Sequence, residues 1–228
     1  MAKLLIISDV HSNPAALSRL AEGADTTVFL GDVVDYGPLP AECVEMIKQR
    51  AHILVKGNHD AAVAEGYHCG FYQGVPEEIR DLNRQRLSEE ALSFLAGLPV
   101  RQQFEFGGAR FLALHASVGD PLSGYMFPFT DAALWRRQVA LVDADFLLLG
   151  HTHWPMTRQF GKVTVINPGS VGQPRDGDPR GSYAVWQDGA VSIKRFEYPV
   201  EETVEALQST GLHAETVGLL CEILRNGG

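Results

Sequence analysis

The feature that most constrains this chain is a rhythm, in which a short apolar run is followed at once by a polar cluster of Asp, His, Asn and Gly. Leu4–Ile7 runs into Ser8, Asp9, Val10, His11, Ser12 and Asn13, and Thr27–Leu30 runs into Gly31, Asp32, Val33, Val34, Asp35, Tyr36 and Gly37. Ile53–Val55 leads to Gly57, Asn58, His59 and Asp60, and Phe111–Leu114 leads to His115. Phe146–Leu149 ends in Gly150, His151, Thr152 and His153, and Val163–Ile166 ends in Asn167. Continuous apolar runs of this length predict strands buried on both faces. Between them, Pro14–Ala21 behind an Asn13 cap and Pro40–Gln49, with Cys43, Val44 and Ile47 on one face, predict helices. Leu87, Ala91, Leu92 and Leu95 keep helical spacing after Pro76; Val204 and Leu207, then Val217, Leu220 and Leu224, predict two terminal helices. Residues 182–197 read as a β-hairpin turning at Gln187, Asp188 and Gly189. Alternating β and α segments make an α/β layered fold, with ligands gathering at the carboxyl ends of strands. Residues 61–98 break the rhythm and read as a small helical insertion that could cover a site, within a single domain spanning 1–228.

Composition narrows what such a fold can do. At 45% hydrophobic and 21% charged residues, 228 residues build a sizeable core and leave no room for a long disordered tract. The net charge of −9 argues against a broad basic face, so no stable nucleic-acid complex is expected. A small phosphate-bearing ligand stays compatible, because bound divalent cations invert the local field. Cys43, Cys69 and Cys221 are odd in number and form no CxxC pair, which argues against a disulfide framework or a cysteine-built zinc site. Leu4–Ile7 is too short for a signal peptide or a membrane span, so the expectation is a soluble, cytoplasmic protein.

A strand-end Asp or His taken alone is usually a turn former or a satisfied polar group. Buried carboxylates and imidazoles gathered from several strand ends would repel or stay unsatisfied unless a metal joined them. The donors are carboxylates, imidazoles and one amide, a set suited to Mn²⁺, Fe²⁺, Co²⁺, Ni²⁺ or Zn²⁺, with manganese preferred here. Asp9, His11, Asp32, Asn58, His115, His151 and His153 exceed what one ion needs, whereas two ions sharing a carboxylate would use them all. Paired divalent cations generate a hydroxide nucleophile and clamp both oxygens of an in-line phosphoryl transfer. In an extended strand, Asp9 and His11 point to the same side and can reach one ion. His151 and His153 are spaced likewise but could serve different ions.

Asp-x-His, Gly-Asp-x-Val-Asp-x-Gly, Gly-Asn-His-Asp and Gly-His-Thr-His, in that order from Asp9 to His153, resemble the motifs of the calcineurin-like metallophosphoesterase superfamily. The tail from Asn167 to Arg180 resembles its small prokaryotic phosphodiesterase branch. The resemblance implies two packed mixed β-sheets flanked by helices, a four-layer sandwich, and two divalent metal ions. It implies that Asp9, His11 and His153 hold the first ion, that Asp32 bridges, and that Asn58, His115 and His151 hold the second. His59 would stabilise the transition state or protonate the leaving oxygen. Asp35 resembles the position that orients that histidine; Asp60 is the rival orienter, or else a helix N-cap for 61–64.

The chain departs from the protein-phosphatase pattern at Tyr36, where those enzymes carry Arg. A bidentate phosphate grip is therefore missing there, and Arg175 and Arg180 in the Gly/Pro-rich loop are the candidate replacements. Trp154 and Pro155 either pack a loop or stack a base; Phe71, Tyr72, Tyr125, Phe127 and Phe129 either line a base pocket or bury loop ends. The resemblance implies a phosphodiesterase on small or nucleotide substrates. Alternatives are a diadenosine tetraphosphate hydrolase and, in another class, a non-catalytic metal-binding scaffold. The helices after Pro199 leave a homodimer open.

Overall fold

Two five-stranded mixed sheets lie face to face, and the alternation inside the apolar runs explains why. In the computed structural model, which describes residues 2–68 and 77–228, β1 (Lys3–Ile7), β2 (Thr26–Phe29) and β3 (Ile53–Leu54) are parallel neighbours. The hairpin of β9 (Gly181–Gln187) and β10 (Ala190–Phe196) adds to them antiparallel through β1. The second sheet runs β4 (Arg101–Phe106), β5 (Ala109–Leu114), β6 (Phe146–Leu148), β8 (Val163–Asn167), β7 (Met156–Phe160), its three central strands parallel and its two outer ones antiparallel. Leu4 and Ile6 point between the sheets, into a core with Val28, Phe111, Leu148, Ile166 and Trp186. Leu5 and Ile7 point the other way and meet Leu17, Val44, Ile47, Leu92 and Leu95 from the covering helices. On the far side Leu112, Leu114, Leu147 and Val165 pack on Trp135 of α6 (Ala132–Val139). Both faces of the central strands of each sheet are thus buried, and the layers run helix, sheet, sheet, helix.

The helices sit where the caps put them. Asn13 accepts from Ala16 N at 3.1 Å and starts α1 (Pro14–Arg19), a cap worth about 1 kcal/mol. The same side chain donates to Gly172 O, which ties the helix start to the loop after β8. Pro40 opens α2 (Pro40–Arg50), with Cys43, Val44 and Ile47 buried. The helical spacing expected after Pro76 resolves into two helices, not one. α4 (Glu77–Arg86) stops short of Ser88, whose Oγ caps α5 (Glu89–Gly97) by accepting from Ala91 N. A serine whose hydroxyl can bond the backbone favours a cap over a helix interior. α3 (Asn58–Glu65) precedes them, and α7 (Val200–Gln208) and α8 (Ala214–Asn226) close the chain. Cys69, Phe71 and Tyr72 lie outside the described residues. Among the described residues no helix is long and apolar enough to cross a membrane.

β4 and β7 have no counterpart in the sequence reading. Both are outer strands whose residues alternate between exposed and half-buried along most of their length, so polar residues interrupt the apolar run. The hairpin is present as expected. Its two-residue link, Asp188 (φ 48°) and Gly189 (φ 91°), uses the left-handed pair that matches strand twist.

Candidate metal centre

The polar clusters converge because they follow the parallel strands at one end of both sheets. Asp9 and His11 follow β1, Asp32 follows β2, Asn58 begins α3 after β3, His115 follows β5, and His151 and His153 follow β6. The extended geometry expected for Asp9 and His11 is not what the chain adopts. β1 ends at Ile7, and Asp9 (φ 55°) and His11 (φ 50°) are left-handed. So are Asp32 (φ 61°), Asp35 (φ 72°), Tyr36 (φ 58°), His151 (φ 66°) and His153 (φ 58°). Asp and His tolerate this region better than most side chains, but each such residue stores local strain. After β1, β2 and β6 the backbone doubles back and throws these side chains inward. Two glycines permit the closeness. A Cβ on Gly57 would strike the Asp32 carboxylate, and one on Gly31 would lie 2.5 Å from Gly57 N.

Two triads result, Asp9–His11–His153 and Asp32–His115–His151, each with its donor atoms within 4.8 Å of one another and all buried. His151 and His153 therefore divide between the triads. His11 Nδ1 donates to Val34 O at 3.1 Å, His115 Nδ1 to Leu30 O at 2.7 Å, and His153 Nδ1 to Gln173 O. A carbonyl on Nδ1 fixes the tautomer and turns the Nε2 lone pair inward, the usual support for a metal-binding imidazole. The inward atoms then face one another. His11 Nε2 lies 3.0 Å from His153 Nε2, and His153 Nε2 3.2 Å from Asp9 Oδ1. His115 Nε2 lies 3.0 Å from Asn58 Oδ1 and 3.1 Å from Asp32 Oδ2. His11 Nε2 also sits 3.8 Å from both Asp9 Oδ1 and Asp32 Oδ2, so Asp32 stands between the triads.

Lone pairs so arranged need a proton or a cation. Asp9 Oδ1, Asp32 Oδ2 and His151 Nε2 are buried without a hydrogen-bond partner among the described residues, a costly arrangement for a protein interior. These orphan atoms are the ones that divalent ions would satisfy, and the mixed oxygen and nitrogen donor set fits such ions. The titration behaviour agrees. Burial drives His11 and His151 well below the usual imidazole range and holds His153 below it, so their lone pairs are free. Burial opposes the charged forms of Asp9 and Asp32, yet neighbouring imidazoles, His153 for Asp9 and His115 for Asp32, keep both carboxyls below their usual values. His115 differs: burial would lower it, but Asp32 and Asp9 raise it to about 9, so a cation there would displace a proton from its Nε2.

His59 stands beside this pair and offers no ligand atom to either triad. Its Nδ1 meets Asp35 Oδ2 at 2.8 Å, and its backbone N donates to Asp32 Oδ1 at 2.9 Å. Burial would lower its pKa, but the Asp32 charge and the bond to Asp35 raise it overall. Asp60 has other work. The helix starts at Asn58, so Asp60 is its third residue and not its N-cap, and its carboxylate accepts from Asp32 N, Val33 N and Gly57 N. It thereby braces the backbone beneath Asp32. Asn83 was missed by sequence reading. Fully buried on α4, it accepts from Ser12 Oγ at 2.6 Å and Asp35 N at 2.9 Å and donates to Gly37 O at 2.9 Å. Its sequence signal is a lone amide four residues after Ile79, on the helix's inward face.

The other predicted residues divide. Tyr36 is buried with its ring 4.7 Å from that of His11 and 4.6 Å from that of His59. Arg175 lies 5.0 Å over the Tyr36 ring, is held by Gln173 Oε1, and its charge reaches His59 and His153. Arg180 is in the same loop, but its guanidinium is paired with Asp178 on the surface, so the structure does not bring it to the histidines. Tyr125 lies 4.2 Å from the His151 ring, and Phe127, Phe129 and Trp154 continue outward from it.

The chain is similar to known proteins in sequence and fold. A sequence model described as the calcineurin-like phosphoesterase superfamily domain matches residues 2–187. The "Uncharacterized protein MJ0912" of Methanocaldococcus jannaschii is 30% identical over 227 residues, covering 90% of this chain and 91% of its own. Phosphodiesterase YfcE of Escherichia coli K12 is 28% identical over 208 residues, covering 85% of this chain and 91% of its own. A metallophosphoesterase crystal structure from Sphaerobacter thermophilus superposes with a TM-score of 0.86 at 31% identity, over 100% of this chain and 99% of that one.

Proposed function

This chain belongs to the calcineurin-like phosphoesterase superfamily, and from that premise we propose that it is a phosphodiesterase on small or nucleotide substrates, working with two divalent cations. The observation that carries the reading is Asp32 standing between two buried triads, three of whose inward atoms lack partners among the described residues, with the His59–Asp35 pair alongside. In this reading Asp9, His11 and His153 hold one cation, Asn58, His115 and His151 the other, and Asp32 both. Bound there, the cations supply Lewis acidity toward the phosphoryl oxygens and a nucleophile at neutral pH. Manganese is the resident ion we favour, for the mixed carboxylate, imidazole and amide donors.

The chain's own residues do the rest. His59 is only partly exposed and has its pKa raised by the Asp32 charge and the bond to Asp35, which favours the protonated ring whose Nε2 would donate to the leaving oxygen. Asp35 accepts from Nδ1 and keeps that ring aimed. Arg175, held beside the site by Gln173 and Tyr36, is the cation whose placement suits a contact with a phosphoryl oxygen. Arg180 would have to leave Asp178 to join it. Within the expected 61–98 insertion, of which residues 69–76 lie outside the described residues, α4 serves as the wall behind the site, a role supported by Asn83 gripping both the Ser12 and the Asp35 turns. The net charge of −9 supports small cytoplasmic substrates over polymeric nucleic acid.

The test is turnover of bis-p-nitrophenyl phosphate and diadenosine tetraphosphate with added manganese, in the native protein and in His59→Ala. The variant is expected to keep its bound metal and to lose about 10²- to 10⁴-fold in kcat. Full activity with metal bound would remove His59 from the chemistry, and no turnover of any ester by the native protein would remove the reading itself.

A further inference from the structure

Next to the metal centre the chain spends aromatic surface in an unusual way. Tyr125, Phe127 and Phe129 alternate with Met126 and Pro128, and the buried residue of the set is Met126, not the rings. Phe129 is 70% exposed and Tyr125 40% exposed. Burial alone would favour the opposite register, since each ring has more apolar area to hide than the methionine. The rings are also ordered. Tyr125 and Phe127 are parallel within 5° at 5.5 Å, Phe127 and Phe129 within 7° at 5.0 Å, and Trp154 meets Phe129 edge-on at 5.6 Å. At the inner end Tyr125 lies 4.2 Å from His151, whose Nε2 is one of the orphan donor atoms.

The loop that carries them is pinned from behind. Trp135 Nε1 donates to Phe127 O, Thr130 Oγ1 accepts from Phe127 N at 2.9 Å, and Arg158 donates to Pro128 O at 2.7 Å. A held backbone with presented rings is the form of a stacking platform, which can accept any flat π-face at little ordering cost.

We infer that Tyr125, Phe127, Phe129 and Trp154 form a base-stacking platform that leads away from the metal centre, so that the preferred esters are those carrying an aromatic nucleobase. The inference rests on the phosphoesterase reading for the position of the phosphate, and it narrows the substrate class. A base on these rings places its attached phosphate toward His151 and the triads. An aliphatic phosphodiester gains nothing from the rings.

Two measurements separate this from the reading it builds on. The first is the ratio of kcat/KM for diadenosine tetraphosphate to that for a glycerophosphodiester, in native protein, Phe129→Ala and Phe129→Trp. Loss of the ring is expected to lower the ratio about tenfold, and tryptophan to restore it. The second is binding of adenosine monophosphate by equilibrium dialysis, which needs no turnover, with Phe129→Ala expected to weaken it by a similar factor. Nucleotide binding that depends on Phe129 in a protein that hydrolyses neither ester would uphold the platform and overturn the hydrolase reading. Hydrolysis of both esters with an unmoved ratio and unmoved nucleotide binding would overturn the platform alone. A change of oligomeric state in Phe129→Ala with the ratio unmoved would also overturn it, and would make the rings a contact between copies of the chain.

Discussion

At the scale of single residues, the left-handed backbone of Asp9, His11, Asp32, Asp35, His151 and His153 is what turns a list of polar residues into a centre. Each costs some local strain, which the surrounding hydrogen bonds must offset. Asp35 shows how. Asn83 Oδ1 receives its backbone N–H, and its carboxylate divides between Tyr36 N at 2.8 Å and His59 Nδ1 at 2.8 Å. In the proposed reaction Asp35 would thus act as a positioning residue for His59. Asp35→Asn is expected to lower kcat about tenfold or more with KM nearly unchanged, because a neutral amide holds the imidazole less firmly. Kinetics with metal content measured on the same sample check this, and a rise in KM without loss of kcat would assign Asp35 to substrate binding. The residue types at the site were legible from sequence, since six strand ends carry them. Their backbone conformation was not, because an Asp-x-His spacing is compatible with an extended chain as well as with a reversal.

At the scale of elements, buried central strands announced themselves and edge strands did not. Leu4–Ile7 or Phe146–Leu149 can only be strand or buried helix, whereas Arg101–Phe106 mixes Gln and Glu with Phe, and only its pairing with β5 settles it. The split at Ser88 was likewise open until packing set α5 against the first sheet. On the same helix-covered face of that sheet, Glu22 joins three strands. It accepts from Lys194 and Tyr183, each at 2.8 Å, and from Lys3, and these partners lower its pKa to about 2 from the ordinary 4.5. Because the folded value lies below the unfolded one, this contribution is complete above about pH 4.5 and disappears as the pH falls through about 2. Glu22→Gln should therefore cost about 1 kcal/mol at neutral pH, after allowance for solvent screening, with a difference from the native protein that narrows below pH 4.5. Denaturant titrations at several pH values check this; an equal difference at pH 7 and pH 3 would contradict it.

At the scale of the whole molecule, two sheets stacked with their parallel strands ending on the same side bring clusters separated by more than a hundred residues into one pocket. The pocket holds two carboxylates, and Asp9 Oδ1, Asp32 Oδ2 and His151 Nε2 find no hydrogen-bond partner among the described residues, so cation binding should stabilise the fold. Manganese at a hundred times its dissociation constant is expected to add about 2.7 kcal/mol, or roughly 5–10 °C in Tm for a chain of this size. Thermal denaturation with and without chelator tests this, and an unchanged Tm would argue against a cation-binding centre. The sequence by itself determined which segments are buried strands, that the chain is layered α/β, and which side chains are candidates to hold a metal. Each of these follows from local pattern, apolar runs and donor types, which a linear chain displays. Only the tertiary structure decided that His151 and His153 serve different triads, that Arg175 faces the site while Arg180 faces solvent, and that Asn83 braces two turns. These depend on where chain reversals send side chains relative to distant strands, and no spacing along the chain encodes that distance.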